Sequence, residues 1–164
     1  MYMKKRVYVR LGDIFCVEAD DFKCYFQYIV DDKDWLNSRV IRVFKRHYPL
    51  DYVPNMDEIV SDEVSFYAHT IIRVGLSANA WYKVENHKDL GNTTDIMFRW
   101  YYDVNTPTHV VKSQNWYIWK INEPRQFVGE MNNHYRKYNL GIIFSYIYIV
   151  AKIKTDNFLM KILD

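Results

Sequence analysis

Six carboxylates lie close together in the segment EADDFKCYFQYIVDDKD, residues 18–34. They form two groups, one before and one after a run in which every second residue is apolar. Such a density of carboxylates is compatible with a metal site, a catalytic pair, a docking surface or the two polar turns of a β-hairpin. The acidic residues in question are Glu18, Asp20, Asp21, Asp31, Asp32 and Asp34.

The rest of the chain offers few of the patterns that catalysis or cofactor binding requires. It has no G-x-G-x-x-G or Walker loop and no G-x-S-x-G turn. The remaining carboxylates, such as Glu63 and Asp95, lack the acid-x-Lys spacing of a metal-dependent nuclease. We therefore expect no metal, no cofactor and no enzymatic activity. An enzyme whose site gathers separated residues such as Glu63 and His69 stays a third hypothesis. The histidines are isolated in sequence: His47, His69, His87, His109 and His134.

Large aromatic residues in two later segments raise the question of nucleic-acid binding. Bases stack on exposed rings in proteins that bind single strands, and such rings lie in a basic groove. Here Arg99, Lys112, Lys120 and Arg125 are interleaved with acids, so we favour packing in the core for most of the rings. The alternative stacking surface consists of Trp100, Tyr102, Trp116 and Trp119.

Composition favours a folded protein rich in β structure. The 164 residues are 49% hydrophobic and 18% aromatic, which excludes disorder and suits one domain over residues 1–164. Tyr and Phe favour pleated, half-buried surfaces. The net charge of +2 argues against a general nucleic-acid binder, which must neutralise many phosphates.

The pattern along the chain predicts a mostly β (α+β) fold with a strongly bent antiparallel sheet. Strands are expected over residues 7–10, 14–19, 22–30 and 38–46, and they form a β-meander core within residues 1–50. A three-residue loop at 19–21 would place Cys16 opposite Cys24, as two buried thiols. Bent, short strands of this kind suggest an SH3-like small barrel at the N-terminus. Residues 51–164 would add further strands, including one over residues 63–74, and one or two short helices. Residues 123–138 are the best helix-like or long-loop segment.

The longest apolar run, LGIIFSYIYIVA at residues 140–151, is too short to span a bilayer, and we expect it to be one long buried strand. The start of the chain lacks the apolar core of an export signal, so a cytoplasmic protein without membrane contact is expected. Aromatic edge strands would allow either a monomer or a dimer.

The N-terminal half resembles a family of bacterial polymorphic-toxin immunity proteins, the family catalogued as immunity protein 26. The similarity lies in a basic start followed by GDIFCVEADDFKCYFQYIVDD and SRVIRVFK, and in the later NAWYKVENHKDL. Gly12, Asp13, Phe15 and Trp81 carry most of it. Glu85 and Asn86 stand where the family tends to have a glycine, and the aromatic C-terminal half has no counterpart in it.

This resemblance implies a non-enzymatic cytoplasmic protein that binds and occludes a cognate toxin. Many toxin domains are nucleases with basic clefts, and an acidic surface on the inhibitor speeds their encounter. The resemblance thus implies a role for the acidic segment, namely exposed turn residues that present negative charge to a basic protein partner. The residues in this partner-binding hypothesis are Asp20, Asp21, Asp31, Asp32 and Asp34. A nucleic-acid-binding barrel is the alternative function.

Overall fold

Ten strands and three short α-helices make up the part of the chain that the computed structural model describes, residues 6–103 and 111–164. The mostly β, α+β class with a bent sheet is confirmed. The strands are β1 (Asp13–Glu18), β2 (Lys23–Asp32), β3 (Ser38–Phe44), β4 (Val64–Thr70), β5 (Tyr82–Asn86), β6 (Met97–Tyr101), β7 (Trp116–Lys120), β8 (Gln126–Gly129), β9 (Asn139–Leu140) and β10 (Ile143–Phe144). The helices are α1 (Met56–Val60), α2 (Ile72–Ser77) and α3 (Tyr146–Thr155), and a 3-10 turn covers Tyr135–Lys137.

The first sheet contains six strands in the order β10-β4-β3-β2-β1-β5. All its pairs are antiparallel except that of β10 with β4. Three register shifts, one of them at Tyr28–Val30, bend the sheet. The expected barrel does not close, because β10 and β5 remain separate edges of the described sheet.

The hairpin of β1 and β2 has a four-residue loop where a three-residue loop was expected. Glu18 pairs with Lys23, and the Ala19 N–H donates to the Phe22 carbonyl oxygen at 2.8 Å. One extra loop residue shifts the register by one, so Cys16 lies opposite Tyr25 and not opposite Cys24. The two thiols are buried, as expected, but they are on opposite faces of the sheet.

The second sheet has the strand order β8-β7-β6-β9. It packs against the face of the first sheet that carries Ile29 and Val40. Ile29 and Val40 of the first sheet share a buried cluster with Phe98 and Trp119, which are cross-strand partners in the second. This shared core fixes the position of β6 and β7 relative to the end of β2.

The apolar run at residues 140–151 is not the long strand that we expected. Its first residues contribute to the short strands β9 and β10, and α3 begins after Ser145. Ile149 and Ile153, four residues apart, are buried on one helical face. A short apolar run does not distinguish a strand from a buried helix. Within the described residues, no helix is both long and apolar enough to cross a bilayer.

Three further element predictions need correction. The expected strand at residues 7–10 has no strand pairing, since β1 begins only at Asp13. The expected strand at residues 63–74 ends at Thr70 and is followed by α2. Residues 123–138 contain β8 and the 3-10 turn in place of a helix.

Candidate protein-binding surface

The acidic residues of the sequence hypothesis do not form one patch. Asp20 and Asp21 are exposed in the β1–β2 loop, whereas Asp31 and Asp34 lie at the β2–β3 turn. Strand β2 contains ten residues, and at roughly 3.3 Å per residue its two ends are about 30 Å apart. A single small contact therefore involves one of the two acidic groups, not both.

Asp32 is a buried residue and not the exposed turn residue that the sequence predicted. Its Oδ2 lies 2.7 Å from His69 Nε2, and both side chains are shielded from solvent. Burial raises the pKa of the Asp32 carboxyl, but the hydrogen bond and the charge of His69 outweigh it, and the net pKa is lowered. Asp32 thus belongs to the structural interior.

Asn122, just after β7, attaches the β2–β3 turn to the second sheet. The Lys33 backbone N–H donates to Asn122 Oδ1 at 2.7 Å, and Asn122 Nδ2 donates to the Asp31 carbonyl oxygen at 3.0 Å. Asn122 has the left-handed φ of 60°, a conformation that asparagine tolerates well. These contacts bring the acidic turn next to the aromatic strands.

Trp35, in the same turn, lies over the ends of β6, β7 and β8. Its indole N–H donates to the Tyr102 hydroxyl oxygen at 2.7 Å. The central guanidinium carbon of Arg125 lies 3.1 Å from the Trp35 ring centroid, 4.9 Å from that of Tyr102 and 5.0 Å from that of Tyr117. We call the three rings of Trp35, Tyr102 and Tyr117 the aromatic cage.

The aromatic cage is part of a larger exposed region. The Phe127 ring makes an edge-to-face contact with Tyr117, with 5.3 Å between the ring centroids. Phe127 is 57% exposed and Trp35 is 42% exposed. We call this region the junction surface. It comprises Asp31, Asp34, Trp35, Tyr102, Tyr117, Arg125 and Phe127.

Asp31 is half-buried, and its carboxylate is engaged within the protein. The Tyr28 hydroxyl donates to Asp31 Oδ1 at 2.5 Å, and the Arg39 guanidinium lies over the Tyr28 ring. Burial and the neighbouring Asp31 carboxylate together raise the pKa of Tyr28 to about 12. Asp34, by contrast, is exposed, so it is the carboxylate of this turn that a partner reaches most directly.

The alternative stacking surface is divided by the fold. Trp116 and Trp119 are 0% and 2% exposed, so their faces are not accessible to bases. Trp100 is half-buried at the rim of the core shared by the two sheets, and Tyr102 belongs to the aromatic cage.

Sequence reasoning overlooked Trp35 and Phe127. The available indication for Trp35 was a large aromatic residue in the middle of the polar turn DDKDWLN, where no local strand or helix pattern buries it. Its neighbours in the cage, Tyr102 and Tyr117, are 67 and 82 residues away in sequence, so their convergence was not readable from spacing.

The described residues do not assemble the enzyme site considered as the third hypothesis. Glu63 is exposed and forms an ion pair with Lys45 at 3.0 Å, whereas His69 is buried at the other end of β4. A cavity of about 560 Å³ is lined by neither of them but includes Lys45, His47 and Lys154. Over residues 6–103 and 111–164 no three His, Cys, Asp or Glu side chains are grouped to hold a metal ion. His109 lies outside the described residues.

Comparison of the chain with protein-family models, with curated proteins and with solved structures found no significant match.

Proposed function

We propose that this chain is a non-enzymatic protein-binding module and that the junction surface is its binding site. The observation that carries the proposal is the convergence of exposed Trp35 with half-buried Tyr102, Tyr117 and Arg125 at one place. Trp, Tyr and Arg are the residues most enriched among the side chains that dominate binding energy in protein interfaces. Their rings offer a large contact area at a small cost in conformational entropy.

Charge at the rim favours a basic partner. Asp34 is exposed in the turn that presents Trp35, and Asp31 lies at the adjacent end of β2; these are the carboxylates that a basic partner meets, and Lys33, Arg39 and Arg125 are the neighbouring positive charges. Negative charge beside an aromatic contact steers a positively charged partner and accelerates association. Together with the resemblance in Gly12, Asp13, Phe15 and Trp81, this supports an immunity-type protein that occludes the basic cleft of a cognate toxin.

The first experiment uses the intact protein as bait in a pull-down from its source cells, followed by mass spectrometry. We expect a multidomain protein with a toxin-like C-terminal domain, and we expect W35A to reduce its recovery at least tenfold. The matched control is Y8A, because Tyr8 is also an exposed aromatic residue, 60% exposed, but lies outside the junction surface. Equal recovery with W35A and Y8A would refute the junction surface as the binding site.

Charge reversal then tests the acidic rim. D34K should slow association of the purified partner severalfold at low salt and have little effect at high salt. D20K is the control, since Asp20 is exposed at the other end of the hairpin. Surface plasmon resonance at two salt concentrations measures both association rates, and an unchanged rate for D34K would contradict the proposed steering.

A nucleic-acid-binding function is the second candidate. The exposed rings of Trp35 and Phe127 beside Arg125 favour it, because aromatic rings and arginine support base stacking. The adjacent Asp31 and Asp34 oppose it, since they repel phosphates. Titration of single-stranded oligonucleotides, with Trp fluorescence recorded at several salt concentrations, separates the two functions. Binding that weakens steeply with salt would favour the nucleic acid.

A further inference from the structure

We propose that the aromatic cage is a receptor for a cationic side chain of the partner, and that Arg125 occupies it in the free protein as an internal substitute. The inference rests on the proposed function of the junction surface and adds the chemistry that the surface recognises. Arg125 leaves the cage when an arginine or lysine side chain of the partner enters it.

The arrangement of the rings fits a cation. The Arg125 guanidinium lies within 6 Å of three ring centroids, a separation at which the negative face of each ring attracts a positive charge. The closest ring belongs to Trp35, and tryptophan provides the strongest attraction of this kind. The hydrogen bond from the Trp35 indole to the Tyr102 hydroxyl holds two of the rings in place. The cage is thus formed before the partner arrives.

Arg125 is held by rings and not by carboxylates. Among the described residues no ion pair involves its guanidinium, whereas Arg46 has a carboxylate within 2.6 Å and Arg99 one within 3.4 Å. A cation–π contact at an exposed site contributes only on the order of 1 kcal/mol. An incoming cation can therefore displace Arg125 without breaking a strong bond.

The position of Arg125 in the chain also permits it to leave. It directly precedes β8, which pairs with β7 alone and so is an edge strand of the described second sheet. Rotation of its side chain towards solvent requires no change in the strands that support the rings. Trp35, at 42% exposure, already presents part of its ring to a partner.

The charges around the cage select a cation over an anion. Asp34 precedes Trp35 directly, and Asp31 lies at the end of β2, where Asn122 binds its carbonyl oxygen and the Tyr28 hydroxyl binds its carboxylate. Carboxylates at the rim of an aromatic cage add to the attraction for a positive group and oppose phosphate or carboxylate groups. Arginine suits the site best, because its planar guanidinium stacks on an aromatic face.

The test compares wild-type protein with R125A, using N-acetylarginine amide as the probe and N-acetylcitrulline amide as its uncharged analogue. The readout is the Trp35 indole resonance in 1H–15N NMR spectra, assigned with W35F. We expect R125A to bind the arginine probe about fivefold more tightly than wild type, because the internal competitor is gone. The citrulline probe should not bind, and the double variant Y117A/R125A, which keeps the Trp35 indole as the reporter but lacks one ring of the cage, should bind the arginine probe more weakly than R125A does. Thermal unfolding confirms that each variant is folded.

The outcomes distinguish this inference from the proposed function. An R125A variant that shows no shift with the arginine probe would overturn the cage inference, as would equal shifts with the arginine and citrulline probes. Partner capture is measured separately. If R125A shows no shift with the arginine probe and weakens partner capture, while W35A abolishes capture, then the junction surface is the binding site but Arg125 contacts the partner directly, and the cage inference is wrong. If neither W35A nor R125A changes partner capture, the proposed function fails whatever the probe does.

Discussion

His69 Nε2 lies 2.7 Å from Asp32 Oδ2, and both side chains are completely buried. The pair joins the last residue of β2 to β4 across the intervening strand β3. The His69 ring also packs on Phe98 of the second sheet at 4.5 Å. One polar atom of each partner, Asp32 Oδ1 and His69 Nδ1, has no hydrogen-bond partner among the described residues. The pair therefore ties β2 to β4 at the base of the turn that presents Trp35, and the His69 ring contacts the second sheet there.

Loss of the Asp32 carboxylate should destabilise the protein strongly. D32N keeps the shape of the side chain but leaves buried His69 without a charged partner, and we expect a loss of about 3 kcal/mol in the free energy of unfolding. Urea unfolding at pH 7 measures it. D34N is the matched control and should stay within about 0.5 kcal/mol of wild type, because Asp34 is exposed. Equal effects of the two substitutions would show that the buried pair adds nothing.

The same pair predicts a pH dependence. Burial raises the pKa of Asp32, but the hydrogen bond and the charge of His69 lower it further, so the pKa in the folded protein lies below its ordinary value of 3.8. A carboxyl with a lowered pKa stabilises the fold above its unfolded-state pKa, and this contribution is lost as pH falls through the folded-state pKa. The stability difference between wild type and D32N should therefore shrink below about pH 4. A constant difference from pH 6 down to the acid transition would contradict the assignment.

The two cysteines should be unreactive in the folded protein. Burial raises the pKa of both thiols, that of Cys24 to about 12 from an ordinary 9.0. Since the thiolate is the nucleophile, this shift lowers the reactive fraction of Cys24 at pH 8 roughly a thousandfold. Iodoacetamide labelling followed by mass spectrometry should detect modification only after unfolding in urea. Rapid labelling of the native protein would show that the β1–β2 hairpin opens.

Sequence patterns predicted what is local and missed what depends on distant partners. The alternation of apolar residues from Phe22 to Val30 identified β2, because a period of two over nine residues indicates a β-strand and not a helix. Burial of Asp32 was not predictable, since its partner His69 is 37 residues away. The length of the loop at Ala19–Phe22 was predicted one residue too short, because residue propensities do not determine loop length to one residue. The extra residue changes the cross-strand partner of Cys16 from Cys24 to Tyr25.

In the candidate site, too, the local patterns were predictable from sequence and the long-range contacts were not. The acidic turn and the aromatic strands were each recognised in sequence, but as rival interpretations with different partners. Asn122 makes them neighbours through two hydrogen bonds to the backbone of the β2–β3 turn. Such a contact between segments about 90 residues apart is set by sheet packing and not by local spacing.

Gly75 should resist even the smallest substitution. A Cβ at this position would overlap the Trp81 ring, whose indole N–H donates to the Ile72 carbonyl oxygen at 3.0 Å. Glycine to alanine normally stabilises a helix by about 1 kcal/mol, but overpacking here should make G75A less stable than wild type by about 2 kcal/mol. Chemical denaturation compares it with S77A, an exposed position in the same helix. Stabilisation by G75A would show that Trp81 moves away freely.

Asn122 should control the junction surface without contacting a partner directly. N122G retains the left-handed backbone at this position but removes both hydrogen bonds to the β2–β3 turn. We expect a loss of about 1 kcal/mol in stability, because two exposed hydrogen bonds between the turn and the second sheet are broken. Partner binding should weaken severalfold, since Trp35 is no longer fixed against Tyr102. Calorimetry and a binding titration measure the two effects.

N37G is the control, because Asn37 has a left-handed φ of 45° in the same turn. If N122G binds as wild type does while N37G binds more weakly, the position of Trp35 is set within its own turn and not by the second sheet.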